Sequence, residues 1–263
     1  MAGMTIISTV KTSEVHSAVA NAAARSGVDF GYLLNQAKIE SSLDPKAQAS
    51  TSSAAGLFQF TKQTWLRTLK AHGAEHGLAW AADAISTTAH GHAYVGDPSV
   101  RESIMNLRFD ANASSAMAGE MAADNRAALE AGLGRPAEPV DLYLAHFLGS
   151  EGALKFLTAN DADPSQAAAP LFPQAAAANR AVFYDANGAP RSLGDIRTRF
   201  AAKIGQSAPG MTSVSTIASS EASRPTAERL ANFSGFEAMP ERLSVDFAQA
   251  AYQRLAALTE AGR

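Results

Sequence analysis

The 263-residue sequence contains no cysteine, which excludes a disulfide framework and leaves the chain indifferent to the redox state of its compartment. Nowhere does it hold the roughly 18–20 consecutive apolar residues that a membrane-spanning helix needs, so no integral membrane segment is expected. Excess charge of one sign is also missing: 22 basic side chains face 25 acidic ones, a net charge of −3. No global electrostatic pull toward nucleic acid or an anionic membrane is therefore expected. The first fifteen residues lack a charged region followed by a long apolar one, so no ordinary secretory signal is visible. What is present, 46% hydrophobic and 18% charged residues, describes a soluble globular protein of one or two domains.

The periodicity is helical almost throughout. Residues 13–26 are alanine-rich with Val15, Val19 and Ala23 at spacings of four, and Asp29 stands where an N-cap belongs before a second helix ending near Glu40. Pro45 cannot continue that helix, and the small, polar residues 47–56 read as a loop of close backbone approach. Thr61 or Thr64 opens a further helical segment, and helical spacing returns over 80–87, 99–107, 110–131 and 138–157. No alternating run is long enough to build a sheet, so the expected class is mainly α. Residues 206–240, rich in Ser, Thr, Ala, Pro and Gly, read as a flexible linker after a domain spanning 1–205. Residues 241–263 carry Leu243, Phe247, Ala251, Leu255 and Leu258 on one face of an amphipathic helix, which either docks back on the domain or binds a protein partner.

The segment of residues 39–65 stands out. It places Glu40 at the end of an apolar helix, beside Ile39 and Leu43, and follows it with a small-residue loop and the run Gly56-Leu57-Phe58-Gln59-Phe60. A carboxyl desolvated by such neighbours is moved toward the range of a general acid. Glu40-Ser41, Leu43-Asp44-Pro45, Ala47, Ala54-Ala55-Gly56-Leu57-Phe58-Gln59-Phe60 and Thr64 resemble the motifs of lytic transglycosylases of the soluble-lytic-transglycosylase type, glycoside hydrolase family 23-like members of the lysozyme-like superfamily. Two later segments agree in order: Asn106-Leu107-Arg108-Phe109-Asp110 with Ala118-Gly119, and Tyr143-Leu144-Ala145-His146-Phe147-Leu148-Gly149, where the family has A-Y-N-A-G. The resemblance is strongest over residues 14–157.

The resemblance implies a compact lysozyme-like helical domain that cleaves the β-1,4 bond between N-acetylmuramic acid and N-acetylglucosamine in peptidoglycan. Glu40 would act first as acid and then as base, closing a 1,6-anhydro ring. Ordinary glycosidases use two carboxylates. The alternatives are a hydrolase of the same fold, needing Asp110 or Glu151 as second carboxylate, and an inactive wall-binding or assembly module. Gln59 is a candidate sugar or glutamate contact, or else caps the loop. Gly56 is a candidate for close backbone approach to substrate. Ser50, Thr61, Ala145 and Phe147 are further groove candidates, whereas Phe58 and Phe60 read as core.

Three departures matter: one extra residue between Pro45 and Gly56, Ser53 where glycine is frequent, and His146-Phe147 in place of Tyr-Asn. His146 is the expected substitute for the tyrosine that contacts the catalytic carboxyl, provided its ring is neutral. No cofactor and no metal are implied. His90 and His92 lack a third ligand, while His72 and His76, four apart without an HExxH arrangement, read as a solvated face. Work on peptidoglycan places the expected setting in the periplasm or envelope of a bacterium by an unseen export route. The other settings are a phage particle, or the cytoplasm until assembly into a flagellum or secretion system.

Overall fold

A computed structural model describes residues 2–50 and 52–205, with side chains from residue 12 onward. The expected linker 206–240 and amphipathic helix 241–263 lie outside the described residues. The order of elements is α1 (Ala2–Ser26), α2 (Phe30–Ser41), α3 (Lys62–His72), a 3-10 turn (Gly73–His76), α4 (Ala79–Ala84), β1 (Ser86–Thr87), β2 (Ala93–Tyr94), α5 (Pro98–Asn106), a second 3-10 turn (Leu107–Phe109), α6 (Ala111–Leu133), α7 (Pro139–Ala162), α8 (Pro173–Ala178), α9 (Arg180–Phe183) and α10 (Leu193–Gly205). The described strands form one antiparallel ladder in which Ser86 faces Tyr94 and Thr87 faces Ala93. The class is mainly α, as expected, and no described helix is long and apolar enough to cross a membrane.

Local chemistry sets the helix ends. Asp29 Oδ1 accepts from the Tyr32 amide at 2.7 Å and starts α2, and Thr61 Oγ1 accepts from the Thr64 amide at 3.2 Å and starts α3. Each such cap is worth about 1 kcal/mol. The helical reading beyond His72 needs correction, because the chain tightens at Gly73 into a 3-10 turn and reverses at Gly77, which takes a left-handed φ of 73°. The expected helix over 80–87 likewise stops at Ala84 and gives way to β1.

α7 positions the site. Its residues from Val140 to Leu148 are buried without interruption, so this half of the helix is enclosed on every side. α6 packs against it on one side and α10 on another, while α1 packs on α6. At Gly149 the backbone leaves helical geometry (φ 76°, ψ 164°), and the helix resumes in a new direction. Glu151, expected in a loop, therefore lies exposed on the second half of a kinked helix. α10, which the sequence reading left unassigned, buries Leu193, Ile196, Phe200 and Ile204 at helical spacing.

Candidate active site

Glu40 sits on the last turn of α2 and is 1% exposed. The chain beyond it turns sharply: Ser42 and Leu43 take left-handed φ values of 55° and 65°. With Gln59 at 50°, these are the described non-glycine residues with positive φ, and all three fall in the segment that wraps Glu40. Such strain persists where surrounding contacts over-determine it. Here the contacts are visible: Ser41 Oγ bonds to the Leu57 carbonyl at 2.8 Å, fastening the end of α2 to the loop. Buried Arg108 donates to the carbonyls of Ser53 at 2.8 Å and Phe60 at 3.2 Å, fastening the other side of that loop.

His146 Nε2 lies 3.0 Å from Glu40 Oε1, across 106 residues of sequence, and both side chains are buried. The ring's other nitrogen, Nδ1, is 3.0 Å from Gln36 Nε2. With the Gln36 amide nitrogen facing it, Nδ1 accepts and Nε2 is the nitrogen directed at Glu40. Gln36 precedes Glu40 by one helical turn, which puts both on the face of α2 turned toward α7.

Two tyrosines complete the surroundings. Tyr143 stacks on the His146 ring at a centroid distance of 5.9 Å. Burial, reinforced by the negative charge of Glu40, pushes the hydroxyls of Tyr32 and Tyr143 well above the usual tyrosine range, so both stay protonated. Lys203 on α10 also feels Glu40: burial brings its ammonium down to about 8, against the opposing pull of that carboxylate. Asn35 Nδ2 donates to the Ile204 carbonyl at 2.8 Å and ties the end of α10 to α2 beside this cluster.

The remaining candidates have other placements. Gln59 Nε2 donates to the carbonyls of Gly56 at 2.8 Å and Ala47 at 3.1 Å, which is the loop-capping arrangement. Gly56 is required for packing within the chain: a Cβ there would lie 1.8 Å from the Arg108 carbonyl oxygen. Thr61 is the buried N-cap of α3. Phe147 points into the core, edge-on to Phe200 at 5.3 Å and stacked near Phe183, and Ala145 is 2% exposed among core residues, because this half of α7 is enclosed. Ser50 is exposed on the loop. Phe58 and Phe60 are core residues as expected.

Gln36, Tyr32, Tyr143, Arg108 and α10 were not assigned site roles from the sequence. The four-residue step from Gln36 to Glu40 and the three-residue step from Tyr143 to His146 were signals available there. Buried acidic side chains among the described residues are Glu40 and Asp141, and Asp141 is occupied by Arg135 at 2.7 Å and Arg197 at 3.1 Å. Asp110 serves as N-cap of α6, its Oδ1 accepting from the Ala113 amide at 2.8 Å.

These features describe a mainly helical domain, consistent with a lysozyme-like one, built around one sequestered glutamate that faces a buried histidine. Residues 17–95 match the Transglycosylase SLT domain family model, a span that runs from α1 through the hairpin and includes Glu40, Gly56 and Gln59. The match supports lytic-transglycosylase-type action on peptidoglycan in general. His146 and Arg108, which close the site around the matched segment, come from beyond it.

Proposed function

We propose that the protein is a peptidoglycan lytic transglycosylase with Glu40 as its catalytic acid and base. Glu40 gives its proton to the glycosidic oxygen as the bond from C1 of N-acetylmuramic acid breaks, and N-acetylglucosamine leaves with a hydroxyl. The resulting carboxylate takes the proton of the muramic acid C6 hydroxyl while that oxygen bonds to C1, giving a 1,6-anhydro end and restoring protonated Glu40. No water is consumed. Burial excludes water from the carboxyl, and the Nε2–H of His146 holds Oε1 in one orientation in both protonation states.

The observation that carries this reading is the Gln36–His146–Glu40 chain of hydrogen bonds, 3.0 Å at each step. It supports an imidazole donor in the place of the tyrosine hydroxyl. A hydrolase would need a second carboxylate to activate water. Asp110 is committed to capping α6, Asp141 to two guanidinium groups, and Glu151 is exposed on the far side of the Gly149 kink. The work of such an enzyme lies at the bacterial cell wall.

His146→Phe, which keeps a ring but removes the donor, tests the chain. Solubilisation of purified sacculi should slow on the order of a hundredfold, the cost of a misplaced reacting group. His146→Tyr should restore a large part of the rate. Equal activity of His146→Phe and the wild type would remove the imidazole from the mechanism.

A further inference from the structure

The structure turns His72 and His76 away from the solvated face expected of them and toward α6. His72 Nε2 is 2.8 Å from Asp124 Oδ2, and His76 Nε2 is 2.8 Å from Glu120 Oε1. Side-chain exposure falls to 14% for His72 and 7% for His76. Around them, His72, Glu75 and Glu120 each offer a ligand atom, and the three atoms lie within 4.8 Å of one another.

We propose that His72, Glu75 and Glu120 form a binding site for a divalent transition-metal ion of the zinc class. His72 Nδ1 faces Glu120 Oε2 at 3.7 Å, too long for a hydrogen bond. It suits two ligands sharing one ion: bonds of about 2.0–2.2 Å place tetrahedral ligands about 3.3–3.5 Å apart and limit any pair to about 4.2 Å. Glu75 is exposed, and rotation of its side chain would close the remaining distance.

The atoms behind the ligands are arranged for the same purpose. Asp124 lies against Nε2 of His72 and leaves Nδ1 as the nitrogen facing the cluster, the relation that a carboxylate bears to a metal-bound histidine; the ion would displace the proton that Asp124 and Glu120 favour on this ring. His76 holds the other oxygen of Glu120 and so aims Oε2 at the same point. One imidazole with two carboxylates suits zinc, cobalt or nickel, whereas calcium and magnesium take oxygen ligands alone. The ion would join the 3-10 turn after α3 to the middle of α6, two parts of the chain separated by 44–48 residues.

Calorimetric titration of zinc chloride into the untagged full-length chain, stripped with chelator and dialysed, tests the site. One zinc ion per chain is expected, together with a melting temperature that rises with zinc and does not rise with calcium. His72→Gln should abolish the stoichiometric binding, and Asp124→Asn should weaken it roughly 10–100-fold. A double His90→Gln, His92→Gln variant should bind as the wild type does. Glu120→Gln, checked for native circular dichroism, replaces His72→Gln if that variant does not fold. Absence of stoichiometric zinc binding, undiminished binding by both His72→Gln and Glu120→Gln, or loss of binding in the His90/His92 variant would overturn the proposal.

Discussion

Asp141→Ala should destabilise the fold by removing the clamp that seats α7. The carboxylate is fully buried: its Oδ2 accepts from Arg135 at 2.7 Å and from the Glu138 amide at 3.1 Å, and its Oδ1 accepts from Arg197 at 3.1 Å. Arg197 comes from α10, so one side chain caps α7 and holds α10 against it. Removing one member of a buried ion pair costs about 3–5 kcal/mol, since the abandoned partner stays desolvated. The guanidinium side chains are 34% and 26% exposed, however, and water screens part of that penalty. The lower end, about 3 kcal/mol, is therefore the expected loss. For a domain of this size each kcal/mol moves the melting temperature about 2–4 °C, giving a drop of about 6–12 °C. Thermal unfolding followed by circular dichroism at neutral pH measures it. Asp141→Asn, which keeps one acceptor for the backbone amide, should lose less. A drop under about 3 °C for the alanine variant would refute the view that this carboxylate fastens α7 and α10 together.

Two other expectations test placements nearer the site. Phe147→Asn restores the asparagine that the related motif carries, yet the side chain lies against Phe183 and Phe200 in the core. It should cost about 3–5 kcal/mol in urea unfolding and bring no gain in rate; a stable, faster variant would contradict the placement. Lys203, whose ammonium is brought down to about 8 in the folded protein, binds its proton more weakly there than in the unfolded chain. Its contribution to stability is therefore full above the unfolded value, about 10.4, and falls as pH drops toward 8. The urea midpoint should carry that rising slope between those limits in the wild type and lose it in Lys203→Met, and equal slopes would contradict it.

The helical class and most helix starts were legible because they rest on local chemistry: Asp29 and Thr61 cap helices, and Gly and Pro punctuate them. The burial of Glu40 was legible from its apolar neighbours Ile39, Leu57, Phe58 and Phe60, whereas the histidine that meets it lies 106 residues away. The surroundings of α7 were not, since enclosure on all sides is decided by α6 and α10, which come from distant parts of the chain. This is why Ala145 and Phe147, placed beside His146 by the motif, belong to the core. Gly56 shows a similar limit: the sequence marks a need for close approach, and only the fold identifies the approaching group as the Arg108 carbonyl. The pairing of His72 and His76 with Glu120 and Asp124 depends on the packing of the end of α3 and the turn after it against α6, and leaves no mark on spacing within either segment.

The central claim is tested most directly by digesting purified peptidoglycan with the wild type and with Glu40→Gln and weighing the released muropeptides by mass spectrometry. The account predicts wild-type products that end in 1,6-anhydro-muramic acid, each lighter by one water than its hydrolytic counterpart. It also predicts their disappearance with Glu40→Gln at a nearly unchanged melting temperature. Reducing-end products from the wild type, or anhydro products still released by Glu40→Gln, would contradict it.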